Sequence, residues 1–347
     1  MTSPRAELIS LLRGDFACPL LAALAELGVM KRMCAGAFTS DDLNVANKAT
    51  LDASLRYLQS IGLIEATGNN SFCATTTGEY VFERAGVFHL FRSYRDYFDN
   101  LAASLSQVET NQTVRRLENV NGTGDMHALK YFPTAFRWFA NRDLSCIVDV
   151  GCGNGGFLAA ALGEHPDTAV VGVDLSAEAV SATQSRLRNT GLNDQARFAV
   201  ADAFSVTEWA TLIPDRGQDV VITIWFILHE FAAGHADKVV RFFEELYQHC
   251  PHADVVVGEI VEIAPHALAS VRHESVYPEM LLFHAFSGQG VLKWDDHKEW
   301  LNRIPYQLAA EERYDEIPID GELVPSSFVW HLSPNNCVNR SGGSRGI

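Results

Sequence analysis

Apolar positions recur at helical spacing on most faces of residues 6–33 (AELISLLRGDFACPLLAALAELGVMKRM), a pattern that predicts one or two largely buried helices. Thr39-Ser40-Asp41-Asp42 sets small polar caps ahead of Leu43 and Val45 and reads as a helix start. Asp52 to Leu63 then brings Leu55, Leu58 and Ile61 to one face until Gly62 interrupts it. LIEA and FCAT, separated by TGNNS, follow as two short strands around a Gly-Asn-Asn turn. Helices followed by a small hairpin have the outline of a winged helix, placed at residues 1–85. Residues 86–143 are helical and aromatic-rich (Phe88, Phe91, Tyr94, Phe132, Phe136, Trp138 among them), broken by a turn-like stretch from Asn119 to Asp125. Such a stripe suits a core, a lid or a dimer interface.

The texture changes at Cys146. IVDV (147–150), AVVGV (169–173), ARFAV (196–200), DVVITI (219–224) and DVVVGEI (254–260) are short β-branched runs, and Ser176–Thr190 and His235–His249 between them are amphipathic. Alternating strands and helices predict an α/β domain over residues 144–332, a mostly parallel sheet with helices on both faces. A helix over Asp295–Arg303 precedes two last strands near 306–313 and 326–332, which makes seven. The stretch 333–347 has no periodicity and reads as a disordered tail.

Composition sharpens this. The apolar share of 47% and charged share of 20% are those of a globular chain. No run of about 18 apolar residues stands out as a membrane span. The first thirty residues contain Glu7, Asp15 and Glu26 and no signal-like segment, so a cytoplasmic protein without membrane association is expected. Seven scattered cysteines make neither a disulfide framework nor a CxxC clip. Twenty-seven basic against 43 acidic residues give −16, which opposes a nucleic-acid backbone and favours a small-molecule substrate.

Asp149-Val150-Gly151-Cys152-Gly153-Asn154-Gly155-Gly156 lies between a strand and a helix, where glycines permit close backbone approach to a ligand and helix N–H groups are free. Glycines 151, 153 and 156 also satisfy GxGxxG, the dinucleotide fingerprint. The surrounding carboxylates favour another ligand. Asp149 stands where an ammonium would be welcome and a pyrophosphate repelled. Asp174 ends the second strand, the position of a ribose-binding carboxylate. Asp202-Ala203-Phe204 ends the third, where a carboxylate can accept from an adenine amino group and a ring can cover the base. Ammonium, ribose and adenine without diphosphate describe S-adenosylmethionine. The motif set resembles that of class I methyltransferases, and the whole chain is similar to the two-domain plant-type O-methyltransferase architecture. That resemblance implies a Rossmann-like catalytic domain and a homodimer formed through the N-terminal winged-helix domain, whose helices cover the active site.

On the acceptor side, Trp225-Phe226-Ile227-Leu228-His229-Glu230-Phe231 follows the fourth strand, and ligands of open α/β sheets bind beyond strand C-termini. A histidine there suits proton transfer. Where the O-methyltransferases carry His-Asp-Trp with a general-base histidine, this chain has His-Glu-Phe. Ala233 excludes an HExxH zinc motif. Glu259 ends the fifth strand, and His284 lies in MLLFHAF. His229, Glu259 and His284 together form a candidate site for a divalent metal, iron or zinc, that would chelate a 2-oxo acid. ILHEF, GEI and LLFHAF look like the corresponding segments of 2-oxo-acid C-methyltransferases, including those of 2-ketoarginine and phenylpyruvate. The resemblance implies C-methylation of a 2-oxo acid in specialised metabolism. Three alternatives stand beside it: O-methylation of a phenol with His229 as base and Glu259 orienting it; N-methylation of a guanidine held by Glu230, Glu259, Glu274 and Glu279; and a nicotinamide-dependent reductase. A winged-helix regulator is a fourth, opposed by the net charge.

Overall fold

The structure is a computed structural model that describes residues 3–335 apart from 69, 107–123, 190–195, 215–218, 233–234 and 272–274. Two compact units divide the chain, the first built on Met1–Arg95 and the second on the residues from His127 onward. The helices expected as a separate linker are shared out, Ala85–Ser93 with the first unit and Phe132–Phe139 with the second.

The first unit opens with helix Pro4–Glu26, capped by the Ser3 hydroxyl and started by Pro4. Only its second half joins the core, through Leu21, Ala22, Leu24 and Ala25; Leu11 and Phe16 are 69% and 70% exposed. The expectation of largely buried helices therefore fails for residues 4–16. This helix is also long and apolar enough, by length and composition alone, to cross a bilayer, which corrects the expectation that no segment is. Arg5, Glu7, Arg13 and Asp15 interrupt it. Thr39 and Asp42 form a reciprocal cap over the short turn Ser40–Asp42. Helix Lys48–Ser60 buries Leu51, Leu55 and Leu58, successive positions on one stripe. Strands β1 (Ile64–Gly68) and β2 (Ser71–Ala74) pair antiparallel, and Phe38 adds a bridge to Phe72. Helices and a small wing are what the spacing predicts.

In the second unit seven strands stand in the order β5-β4-β3-β6-β7-β9-β8: β3 Cys146–Val150, β4 Ala169–Asp174, β5 Ala196–Val200, β6 Val220–Trp225, β7 Asp254–Ile260, β8 Tyr306–Ile319 and β9 Glu322–Pro334. The first five are parallel; β9 runs antiparallel to both β7 and β8. Every residue of β3 and β6 is buried, because helices cover both sheet faces and β-branched residues are needed on each. Val148, Val150 and Ile222 join one core with Val239, Phe243 and Leu246 of helix Ala236–His249. Ile147 and Val221 join the other with Phe139, Leu158 and Leu187. The last hairpin exceeds its expected length because Asp320 and Gly321, both at positive φ, close it in a two-residue turn. β9 runs past residue 332 to Pro334; the expected disordered tail from 336 lies outside the described residues. The order reverses between β3 and β6, so the crevice beyond their C-termini is the place for a ligand.

Candidate functional site

Gly151, Gly153 and Gly155 all take positive φ in the turn after β3, whereas Gly156 begins helix Gly156–Glu164. The left-handed positions thus follow GxGxG, and the literal GxGxxG match is incidental. A Cβ on Gly155 would stand 2.7 Å from the Thr183 methyl, so the turn has no room for a side chain there. Two rungs hold the loop: Gly151 N–H and Cys152 N–H both donate to the Val173 carbonyl.

Asp149 is 2% exposed and lies in register with Thr223 of β6, whose hydroxyl donates to it at 2.8 Å. Burial pushes its carboxyl up to about 7; the Thr223 bond opposes this and the charge of Asp174 adds to it. A buried carboxylate of this kind wants a cation. Asp174 accepts from Gly153 N–H and Ser176 N–H, each at 2.9 Å, which fixes its carboxylate at the mouth of the glycine turn. Burial raises its pKa, countered by those two N–H groups. Asp202 is exposed and accepts from Phe204 N–H at 3.0 Å; the Phe204 ring stands edge-on to Phe242 at 5.0 Å, and the Ala203 carbonyl accepts from Trp209. These residues fit S-adenosylmethionine: a deep anion, a bare backbone turn, a rim carboxylate, and a polar edge beside a half-buried ring.

The second cluster stands beyond β6 and β7. Phe226 adopts φ 55°, a left-handed geometry costly for a bulky side chain, and turns the chain from β6 into helix Leu228–Ala232. The turn brings His229 to Glu259, with Nδ1 2.7 Å from one carboxylate oxygen and the His229 N–H 3.2 Å from the other. Ile260 N–H donates to the same carboxylate at 2.7 Å. Although burial raises the Glu259 pKa, the charge and hydrogen bond of His229 and the Ile260 N–H hold it below the usual carboxylate range. Glu259 is therefore an anion, and His229 Nδ1 donates to it. His284, on helix Tyr277–Phe286, donates from Nδ1 to the Met280 carbonyl at 2.6 Å and turns Nε2 to within 3.2 Å of His229 Nε2.

The three expected metal donors are thus gathered but not as three ligands of one ion. Glu259 lies behind His229 at Nδ1, away from the His284 contact at Nε2. Among the described residues no group of three or more His, Cys, Asp or Glu side chains is placed to hold a metal. Two imidazoles remain. Their Nε2 atoms stand 3.2 Å apart, within hydrogen-bond reach of each other. Of the residues expected to cradle a guanidine, Glu259 is bonded to His229, Glu230 and Glu279 are exposed, and Glu274 lies outside the described residues.

Three residues of this region carry no sequence signal. His127 packs against Phe226 with ring centroids 4.3 Å apart, and burial lowers its pKa to about 4, with Glu259 opposing and His229 adding. Tyr277 is buried with no hydrogen-bond partner for its hydroxyl among the described residues, and burial followed by the charge of Glu259 raises its pKa. His297 is a satisfied neutral histidine behind Glu259, bonded to the Ile260 carbonyl and Trp300 Nε1–H, its pKa lowered to about 4 by burial.

Residues 147–253 match the family model described as a methyltransferase domain. No curated protein matches the sequence. Among solved structures the chain is similar to LaPhzM, at 16% identity and TM-score 0.62 over 96% of this chain and 100% of that one. It is also similar to the mitomycin 7-O-methyltransferase MmcR, at 18% identity and TM-score 0.57 over 95% and 97%. A third is NcsB1, an O-methyltransferase from neocarzinostatin biosynthesis in complex with S-adenosylmethionine and 2-hydroxy-5-methyl naphthoic acid, at 19% identity and TM-score 0.53 over 92% and 96%. At these identities the likeness speaks for the two-domain fold. The family match falls on the glycine turn and its carboxylates, which removes the nicotinamide reading: the second unit carries a methyltransferase domain, and the chain is an enzyme of methyl transfer.

Proposed function

We propose that the enzyme methylates a small molecule of specialised metabolism, and that the acceptor is the carbon beside the ketone of a 2-oxo acid. Its methyl donor is S-adenosylmethionine, whose sulfonium supplies an electrophilic methyl when bound. Asp149 would meet the donor's ammonium, the turn at Gly151 and Gly153 would admit its backbone-like portion, Asp174 would take the ribose hydroxyls, and Asp202, Ala203 and Phe204 the adenine.

One observation carries the acceptor reading: His229 and His284 face each other through Nε2 while both Nδ1 atoms are spent on acceptors. Two Nε2 atoms 3.2 Å apart either share a proton or face a common cation. A divalent cation, iron or zinc, would be held by the two Nε2 atoms and would supply Lewis acidity to a chelated ketone and carboxylate. Glu259 and the Met280 carbonyl fix both tautomers and strengthen the imidazoles as ligands. Of the 2-oxo acids, one with a guanidine, such as 2-ketoarginine, finds no acidic cradle among the described residues.

A second reading rests on the His229–Glu259 pair alone. With the acceptor hydroxyl in place of the His284 contact, His229 Nε2 takes the phenolic proton while its Nδ1–H stays on Glu259, which steadies the imidazolium; this yields O-methylation as in the names of MmcR and NcsB1. The exposed apolar face of residues 8–16 supports a homodimer; sedimentation at micromolar concentration should give twice the monomer mass, and a single monomer boundary would reject it.

Mass spectrometry of reactions containing S-adenosylmethionine and panels of 2-oxo acids and phenols tests the acceptor. The expected result is a 2-oxo acid gaining one methyl, with turnover reduced tenfold or more by chelation and regained with iron or zinc. Full turnover of a phenol by rigorously metal-free enzyme would replace the first reading with the second.

A further inference from the structure

Glu259 acts electrostatically on four polar rings, and three have settled roles or no access. His229 is bonded to it; His297 has both ring nitrogens satisfied; the Tyr277 hydroxyl is sealed from solvent. His127 is different. It is partly exposed, its ring lies on Phe226 and touches the edge of Tyr131 at 5.8 Å, and the described residues offer its nitrogens no hydrogen-bond partner. Phe226 is the strained residue that turns the chain toward His229 three positions later, so His127 is seated on the very turn that builds the acceptor site.

We infer that His127 is a specificity residue that donates an N–H hydrogen bond to an oxygen of the bound acceptor, an assignment that rests on the methyl-transfer reading above. Burial keeps the imidazole uncharged near neutral pH, so it offers one donor and one lone pair and no positive charge. A ring needed only to pack on Phe226 would serve equally well as phenylalanine. An imidazole with unmet nitrogens beside a catalytic dyad serves a ligand.

The test compares His127→Phe, which keeps the stacking ring, with His127→Asn and His127→Gln, which return an N–H near Nδ1 or Nε2. The acceptor is whichever compound, 2-oxo acid or phenol, the unaltered enzyme methylates. A mistaken acceptor class then shows in the unaltered enzyme, and a mistaken role for His127 only in the variants. Expected for His127→Phe is a rise in acceptor KM of about tenfold, one hydrogen bond's worth, with the calorimetric Kd for S-adenosylhomocysteine within twofold. One of the two amides should bring KM back to within threefold. An acceptor KM unchanged in His127→Phe overturns the assignment. So does a loss of S-adenosylhomocysteine affinity equal to the rise in acceptor KM, which would mark a packing role.

Discussion

Asp149→Asn is expected to weaken donor binding by a hundredfold or more and, at the same time, to make the ligand-free protein more stable at pH 8. Both effects follow from one buried carboxyl. Asp149 is 2% exposed, its pKa is pushed up to about 7 by burial, and among the described residues its one bonded side-chain neighbour is the Thr223 hydroxyl. Because the folded pKa is raised above the ordinary carboxylate value of 3.8, stability contributed by this group is full below that value and is lost as pH rises through about 7. Asparagine keeps an acceptor for Thr223 and removes the cost of ionisation, a gain of roughly 2–4 kcal/mol at pH 8. Donor binding moves the opposite way, since an ammonium needs the anion. Below pH 7 the affinity of the unaltered enzyme for S-adenosylhomocysteine should fall by up to tenfold per pH unit, and the asparagine variant should show a weak and flat profile. Calorimetry from pH 6 to 8 with thermal melts reads both. Equal affinities in the two proteins would remove Asp149 from the donor site.

The second large effect concerns His229. His229→Asn should lower turnover by about 10²–10⁴, the range for loss of a proton-transferring or metal-binding imidazole, while retaining the fold. The amide can still donate toward Glu259, which is 1% exposed and accepts three N–H bonds. His229→Phe leaves that anion without its charge partner and should cost about 3–5 kcal/mol, with the Glu259 carboxyl rising toward and above its ordinary value. Thermal melts separate the two variants, and single-turnover rates read the chemistry. Turnover within tenfold of the unaltered enzyme in His229→Asn would place the chemistry elsewhere.

Positions that can be read from one strand or one turn were legible without coordinates. Asp149, Asp174 and Asp202 each sit at or just beyond a strand end, and the short apolar runs mark β3 to β7 almost to the residue. The parallel sheet then puts the three carboxylates along one rim. Relations between distant segments were not legible. His229 and Glu259 are 30 residues apart and His284 a further 25; their nearness is visible in sequence, but which nitrogen meets which oxygen depends on a left-handed Phe226 and on helix Tyr277–Phe286. Hence Glu259, expected as a metal ligand, stands as the hydrogen-bond partner of His229 Nδ1. His127 was hidden more deeply, since a histidine within an aromatic stripe looks like core packing and nothing in its neighbours' spacing points to a strand 100 residues on.

By itself the sequence determined the layer order, the strand positions and the donor's chemistry, because burial on both sheet faces and tight glycine turns impose local rules on residue type. The tertiary structure decided the arrangement of the acceptor-side residues: ring orientation, the partner of each nitrogen and the burial of each carboxyl are properties of packing between remote segments, which no local pattern encodes.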